Sequence, residues 1–345
     1  MKALVKTSRL KNALERLDVK RPIIQDDEVL VQVVNVAICG TDLHVYEFTA
    51  GYDFIQTPLI LGHEFSGYIA EVGSKVVNFH VGDRVIGESN RYCGQCDNCN
   101  NGRTDICLDS QMTGLHVNGA MAEYIAVPAY TLHHLPNNLP FSVGAIAQPI
   151  SVSLNAVFDN CNLNTGDNVV IFGPGIQGLS AAQAARIKGA SKVAIVGTDN
   201  DEEIRLPIAK EMGFDTFNVN QESINQQLLT IWDGKEVDVV IDASGSIHAV
   251  KDGMSLLKRG GHLTLFGIYP RTLELDLTSL VRRNITIHTS YTSQWKHYEQ
   301  ALKFLSKRQI DISALIKEYP FEEFEKAFED GIAKTVLKPV LTLSQ

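Results

Sequence analysis

No stretch of this 345-residue chain forms a basic block, and no apolar run reaches membrane-spanning length before a polar residue interrupts it. The first absence, together with a net charge of −9 and interspersed acids and bases, argues against a nucleic-acid partner. The second, with no signal-peptide core in the opening MKALVKTSRLKNALERL, leads us to expect a cytoplasmic protein without a membrane partner. Internal repeats and low-complexity segments are lacking too. What remains is ordinary for a globular protein, 44% hydrophobic and 21% charged, in a chain long enough for two domains that each bury a core.

Cysteine is scarce, at six residues, yet four of them fall in the short segment RYCGQCDNCNNGRTDIC. A reducing cytosol rarely keeps disulfides, so closely spaced thiols there point to metal or redox chemistry. The spacing Cys93-x2-Cys96-x2-Cys99-x7-Cys107 lets one loop present four sulfurs tetrahedrally to Zn²⁺. Four thiolates close the coordination sphere, so such a site holds a loop and neither binds substrate nor activates water. An iron–sulfur cluster and four unconnected thiols are the alternatives. Nucleic-acid binding by this lobe conflicts with the net charge and with CDNCNNGRTD, which has one arginine between two aspartates.

Residues 29–85 read as short strands and turns of barrel-like composition. From residue 168 onward the texture changes. NVVIFG (168–173), KVAIVG (192–197), VDVVIDAS (237–244), HLTLFG (262–267) and NITIHTS (284–290) alternate with helix-like segments, the pattern of a parallel sheet covered on both faces. Trp295, Tyr298, Leu302 and Leu305 follow at helical spacing and suggest a packing face. TVLKPVLTL reads as a strand returning to an earlier sheet. The expected boundaries are a first domain over 1–150 with the cysteine lobe at about 89–110, a nucleotide domain over 151–290 and a C-terminal return over 291–345.

The first of those strands runs into GPGIQGLSAAQAARIKG, where Gly173, Gly175 and Gly178 form G-x-G-x-x-G ahead of an alanine-rich helix. In that context the glycines permit a tight turn and bring a pyrophosphate close to the helix N-terminus. The acid that usually follows about 20 residues later, to bind the ribose hydroxyls, is replaced by Gly197, followed by Thr198 and Asp199. Thr198 or Arg205 would suit a 2′-phosphate and Asp199 would suit NAD, so both NAD and NADP stay open. Ser244 and Gly267, at the ends of two later strands, complete the candidate cofactor contacts.

A second group of ligand-type residues lies earlier: Cys39, Thr41, Asp42 and His44 in ICGTDLH, and His63 and Glu64 in LGHEFSG. Taken singly, each cysteine or histidine would be ordinary core. Together with Gly62-His63-Glu64-x2-Gly67-x5-Gly73-x2-Val76 they resemble the zinc alcohol dehydrogenase signature, and the whole chain is similar to the medium-chain dehydrogenase/reductase superfamily. The resemblance is to its sorbitol, threonine and polyol-phosphate dehydrogenase branch. It implies an α/β chain with a GroES-like β-barrel catalytic domain and a Rossmann doubly wound parallel-sheet domain for NAD or NADP. It also implies two Zn²⁺ per subunit, the catalytic one replaceable by another divalent ion, in a homo-dimer or homo-tetramer.

Carried onto this chain, the resemblance makes Cys39 and His63 catalytic metal ligands, with Glu64 a direct or water-mediated ligand. Asp42 would bond the far nitrogen of His63. Thr41 would touch the substrate hydroxyl, and His44 would pass its proton to solvent. The chain departs from the branch at AIAQPISVS, where Gln148 stands at the usual glutamate position. With Cys39 and Glu64 ionised, the ligand charge would balance Zn²⁺, and we expect a labile but functional site. It departs again at Tyr291-Thr292-Ser293, where sorbitol dehydrogenases carry Phe-Arg-Tyr. The implied reaction is therefore oxidation of a secondary alcohol on a polyol or, in preference to sorbitol, a polyol phosphate of the arabitol or galactitol kind. Arg282, Arg283 and Lys296 are candidate phosphate contacts or plain surface charge. Threonine-type amino alcohol oxidation, suggested by CGTDLHVYEF, and a zinc- and nucleotide-binding protein without catalysis are the alternatives.

Overall fold

The computed structural model describes residues 1–221 and 223–343. The chain divides into two compact units, Met1–Ser151 with Thr292–Gln345, and Val152–Tyr291.

The first unit is built on Glu28–Ala37, a strand of mostly valine whose side chains are buried on both faces. Glu64–Val72 pairs antiparallel along its length, Tyr124–Pro128 covers the other edge of its first half, and Lys338–Thr342 covers its last residues. The C-terminal segment thus returns to an early sheet. Arg84–Gly87 and Leu132–His134 extend the sheet on one side and Ile316–Pro320 on the other, which gives the seven-stranded, mainly antiparallel barrel sheet. Val31, Val33, Val36, Phe65, Ile69, Ile125, Phe328 and Leu341 belong to its core.

The second unit is a six-stranded parallel sheet. Its strands are Asn168–Phe172, Lys192–Gly197, Asp215–Asn218, Val237–Asp242, Leu257–Leu265 and Thr286–Thr289, and numbered along the chain they lie in the order 3-2-1-4-5-6. That is the doubly wound dinucleotide-binding order, with the reversal between the first and fourth strands. The third strand, DTFN, escapes a hydropathy reading because it is short and half polar. Helix Ile176–Lys188 packs against the first two strands through Ala181, Ala182, Ala184 and Ala185, all buried.

Helix Trp295–Ser306 buries Tyr298, Leu302 and Leu305 as the spacing predicts, but not Trp295, which is 50% exposed. Trp295 opens the helix, and its ring lies against that of His133. No helix among the described residues is long and apolar enough to cross a membrane.

Candidate functional site

Strand register assembles the first metal cluster. Ala37 pairs with Glu64 where two antiparallel strands meet, so Cys39, just beyond one strand, arrives beside His63, just before the other. Cys39 caps helix Gly40–Glu47 and donates its backbone N–H to Asp42 Oδ2 at 2.9 Å. Asp42 Oδ1 accepts the N–H of Gly62 at 3.3 Å, so one buried carboxylate ties the two segments together. Gly62 has a φ of +92°, and a Cβ there would lie 2.7 Å from the Met121 side chain. The ligand atoms of Cys39, His63 and Glu64 all lie within 4.8 Å of one another.

Two details differ from the sequence expectation. Asp42 Oδ1 is 3.8 Å from His63 Nδ1, too far for a hydrogen bond, and the two carboxylate oxygens accept the backbone N–H groups of Cys39 and Gly62 instead. His63 Nδ1 is left without a hydrogen-bond partner although buried. Glu64 meets a partner that inspection of the sequence missed: Lys338 Nζ lies 2.6 Å from Oε2 and 2.8 Å from Oε1, and it also donates to the Ile38 carbonyl at 3.0 Å. With Cys39 as a thiolate, Lys338 leaves the cluster with one net negative charge, not the two that would balance Zn²⁺.

The donor set still suits a divalent cation. Burial pulls the His63 pKa down, but Asp42, Cys39 and Glu64 outweigh it and raise the pKa to about 10. Burial raises the carboxyl of Asp42. A half-buried thiol beside a buried imidazole and buried carboxylates that draw in a proton so strongly offers the same negative field to a metal.

Thr41, half-buried, and His44, exposed, stand on the helix that Cys39 caps. His44 Nδ1 is 3.2 Å from Thr49 Oγ1, and its ring stacks on Tyr52. Gln148 is buried: its side-chain amide donates to Ser89 Oγ at 3.1 Å, while its main-chain carbonyl accepts from Ser151 Oγ at 2.6 Å.

In the second cluster, Cys93, Cys96, Cys99 and Cys107 also bring four sulfurs within 4.8 Å. Cys107 Sγ is 3.5 Å from Cys93 Sγ and 4.0 Å from Cys96 Sγ. A ZnS₄ tetrahedron with bonds of about 2.3 Å has edges of about 3.8 Å, so the sulfurs fit that ion. Backbone N–H groups of Leu108 and Cys99 lower the Cys96 thiol to about 6. Cys99 is pushed up to about 12, burial first and its neighbouring thiols next, because four thiolates cannot crowd together without a cation.

In the nucleotide unit, Gly173 has a φ of +97°, and a Cβ on Gly178 would fall 1.9 Å from the Gly173 carbonyl. Gly175 differs. A Cβ there would meet nothing within 4 Å, which leaves open space ahead of the N-terminus of helix Ile176–Lys188, the space a pyrophosphate takes. Asp242 collects the backbone and hydroxyl of Ser244, the N–H of Gly245 and the hydroxyl of Tyr269. The bare Cα of Gly267 admits that turn: its Cβ would sit 2.3 Å from Gly245 N.

Asp199 accepts the side-chain amides of Asn218 at 2.7 Å and Asn220 at 2.9 Å, which hold its carboxyl below the usual range. Thr198 and Arg205, the two groups suited to a 2′-phosphate, both turn to Asp201 instead, at 2.9 Å and 3.5 Å. Of the candidate phosphate contacts, Arg283 donates to the carbonyls of Met254 and Leu257 in its own unit.

Comparison with known proteins agrees with this picture. Residues 25–137 match the alcohol dehydrogenase GroES-like domain, and residues 177–307 match the zinc-binding dehydrogenase family. The chain is 32% identical to a sorbitol dehydrogenase of Halalkalibacterium halodurans over 99% of each chain. It is 33% identical to a D-arabitol-phosphate dehydrogenase of Enterococcus avium, covering 99% of this chain and 97% of that one. It is 31% identical to an L-threonine 3-dehydrogenase of Proteus mirabilis, covering 95% and 96%. The solved galactitol-1-phosphate dehydrogenase of Escherichia coli superposes with a TM-score of 0.88 at 29% identity, covering 99% of this chain and all of that one.

Proposed function

Because this chain belongs to the zinc-dependent medium-chain alcohol dehydrogenases, which are NAD(P)-linked oxidoreductases acting on CH–OH, we propose that it oxidises a secondary alcohol of a polyol phosphate to the ketone with NAD as acceptor. The observation that carries this reading is the Cys39–His63–Glu64 cluster at the meeting of two strands, with Cys39 half-buried and the other two buried. Zinc held there would supply the acidity that a free hydroxyl lacks at neutral pH. Bound NAD⁺ would supply the hydride acceptor, and the overall change from alcohol and NAD⁺ to ketone, NADH and one proton balances.

The chain's own residues then have separate roles. Cys39 and His63 would hold the metal, with Glu64 beside them in an ion pair with Lys338. Thr41 orients the substrate hydroxyl and relays its proton, taking it up as it gives its own hydroxyl hydrogen on, and His44, exposed and beside Thr49, exchanges a proton with water. Gly173, Gly175 and Gly178 cradle the pyrophosphate. Asp199, kept ionised by two asparagines, accepts the adenosine ribose hydroxyls and repels a 2′-phosphate, which favours NAD over NADP.

A phosphate ester is preferred over free sorbitol because Tyr291-Thr292-Ser293 offers no arginine for a polyol, and because an arabitol-phosphate and a galactitol-phosphate enzyme are among the relatives. Threonine-type oxidation is the second reading, favoured by the CGTDLH segment and the threonine dehydrogenase relative. Steady-state reduction of NAD⁺ against pentitol phosphates, hexitol phosphates, the free polyols and L-threonine separates the two. Turnover confined to threonine would overturn the polyol reading.

A further inference from the structure

Glu88, His133 and Glu299 lie outside both metal clusters, and nothing in the reaction above uses them. Glu88 follows strand Arg84–Gly87, His133 is the middle residue of the neighbouring strand Leu132–His134, and Glu299 comes from helix Trp295–Ser306. His133 Nε2 is 3.0 Å from Glu88 Oε1, and Nδ1 is 2.6 Å from Glu299 Oε1. The imidazole is buried. It stacks nearly parallel on Tyr298, with centroids 5.1 Å apart, and the Trp295 ring lies 5.3 Å away.

A proton count follows from that geometry alone. Two hydrogen bonds need two protons, and a neutral imidazole brings one. The group therefore holds one proton beyond two carboxylates and a neutral ring, whether it rests on His133 or on Glu88.

The same residues reach Gln148. The hydroxyl of Tyr298, the neighbour of Glu299, accepts the N–H of Ser89, the neighbour of Glu88, at 3.2 Å. Ser89 Oγ accepts the Gln148 side-chain amide at 3.1 Å, and Ser151 Oγ, 2.7 Å from Ser293 Oγ, donates to the Gln148 main-chain carbonyl. We propose that Glu88, His133 and Glu299 form a one-proton latch between the barrel sheet and helix Trp295–Ser306, and that the closed latch positions Ser89 and, through it, Gln148. Any effect of the latch on the catalytic metal rests on the proposed function and on the family resemblance, which puts Gln148 at the position of the branch's usual glutamate.

The sign of the pH dependence is fixed by the surroundings. Burial alone would lower the His133 pKa, but Glu299 and Glu88 outweigh it and raise it above its ordinary 6.5, and burial raises Glu88. Both shifts keep the proton in the folded protein to higher pH than in the unfolded chain. The latch is thus fully closed below the ordinary histidine value and opens as pH rises through the folded one. Among the described residues, Tyr298, Tyr92 and Tyr130 feel Glu88 and are all raised by burial, and Lys296 and Lys303 stand three before and four after Glu299 on its helix.

Trp295 gives a direct readout, because its ring lies against His133, so loss of the latch proton changes the charge beside the indole wherever that proton rests, and the only other tryptophan, Trp232, is buried in the core of the nucleotide unit. Intrinsic fluorescence of the full-length, zinc-loaded protein should show a transition with a midpoint above 6.5. Trp295→Phe and His133→Gln should abolish it. Glu299→Gln, at a 44% exposed position where folding is safe, should move the midpoint down by about one unit. A flat wild-type profile, or a midpoint unmoved in Glu299→Gln, overturns the latch.

Release of the catalytic metal to a chelator tests positioning. It should quicken about tenfold above the midpoint, and in Ser89→Ala at every pH. If Gln148→Ala quickens release and Ser89→Ala does not, positioning through Ser89 is wrong. If neither variant changes release while the fluorescence transition stands, the latch is supported and the placement of Gln148 at the metal fails.

Discussion

Glu64 and Lys338 form a buried ion pair, Nζ to Oε2 2.6 Å, between residues 274 apart in sequence. The pair joins the His63–Glu64 segment to the returning C-terminal strand, and Lys338 also anchors the Ile38 carbonyl one residue before Cys39. Replacing Lys338 with Met should leave an uncompensated buried carboxylate and cost about 3–5 kcal/mol in the metal-free protein. A bound divalent cation would offset much of that loss. Thermal unfolding with and without Zn²⁺ should therefore show a larger zinc-induced rise in Tm for Lys338→Met than for wild type, and an equal rise would contradict the charge-balancing role.

The cysteine lobe makes its own prediction. Cys99→Ser should reduce bound zinc from about two per chain to about one and leave the 89–110 segment open to proteolysis. Because the ligands must be thiolates, acidification should release this zinc by protonation. Zinc content by mass spectrometry, with limited proteolysis, checks both parts.

Gly175→Ala and Gly178→Ala should part company. At Gly178 a Cβ would press on the Gly173 carbonyl at 1.9 Å, so that variant should lose stability as well as NAD binding. At Gly175 the Cβ meets open space in the protein, so only the cofactor would feel it. Gly175→Ala is expected to raise the NAD dissociation constant about tenfold or more with Tm nearly unchanged.

Asp199→Ala should lower kcat/KM for NAD⁺ by about tenfold or more and reduce discrimination against NADP⁺. The Asn218 amide would lose an acceptor but keep Glu202 as a partner, so stability should change little. An unchanged cofactor ratio would place the ribose elsewhere.

The two glycine and cysteine motifs were legible in the sequence because each is local: the residues that act together lie within one turn or one loop. The family was legible in the Gly62-His63-Glu64 string taken with ICGTDLH, the parallel sheet in the strand-like runs, and the matches to both family domains agree. What escaped was non-local. Lys338 reads as one lysine in an apolar strand until register brings it against Glu64. Asp199 is favoured over Thr198 and Arg205 only because Asn218 and Asn220 reach it from the next strand, while Asp201 draws the other two away. His133 sits in a plain strand, and only strand pairing and helix packing bring two carboxylates to its ring.

The most direct test of the central claim is reduction of NAD⁺ by zinc-loaded wild-type protein and a Cys39→Ser variant, presented with pentitol and hexitol phosphates, the free polyols and L-threonine. The account predicts turnover of a polyol phosphate with NAD⁺ preferred over NADP⁺, and a loss of at least about a hundredfold in kcat for Cys39→Ser. Equal activity in the two proteins, or oxidation of threonine alone, would contradict it.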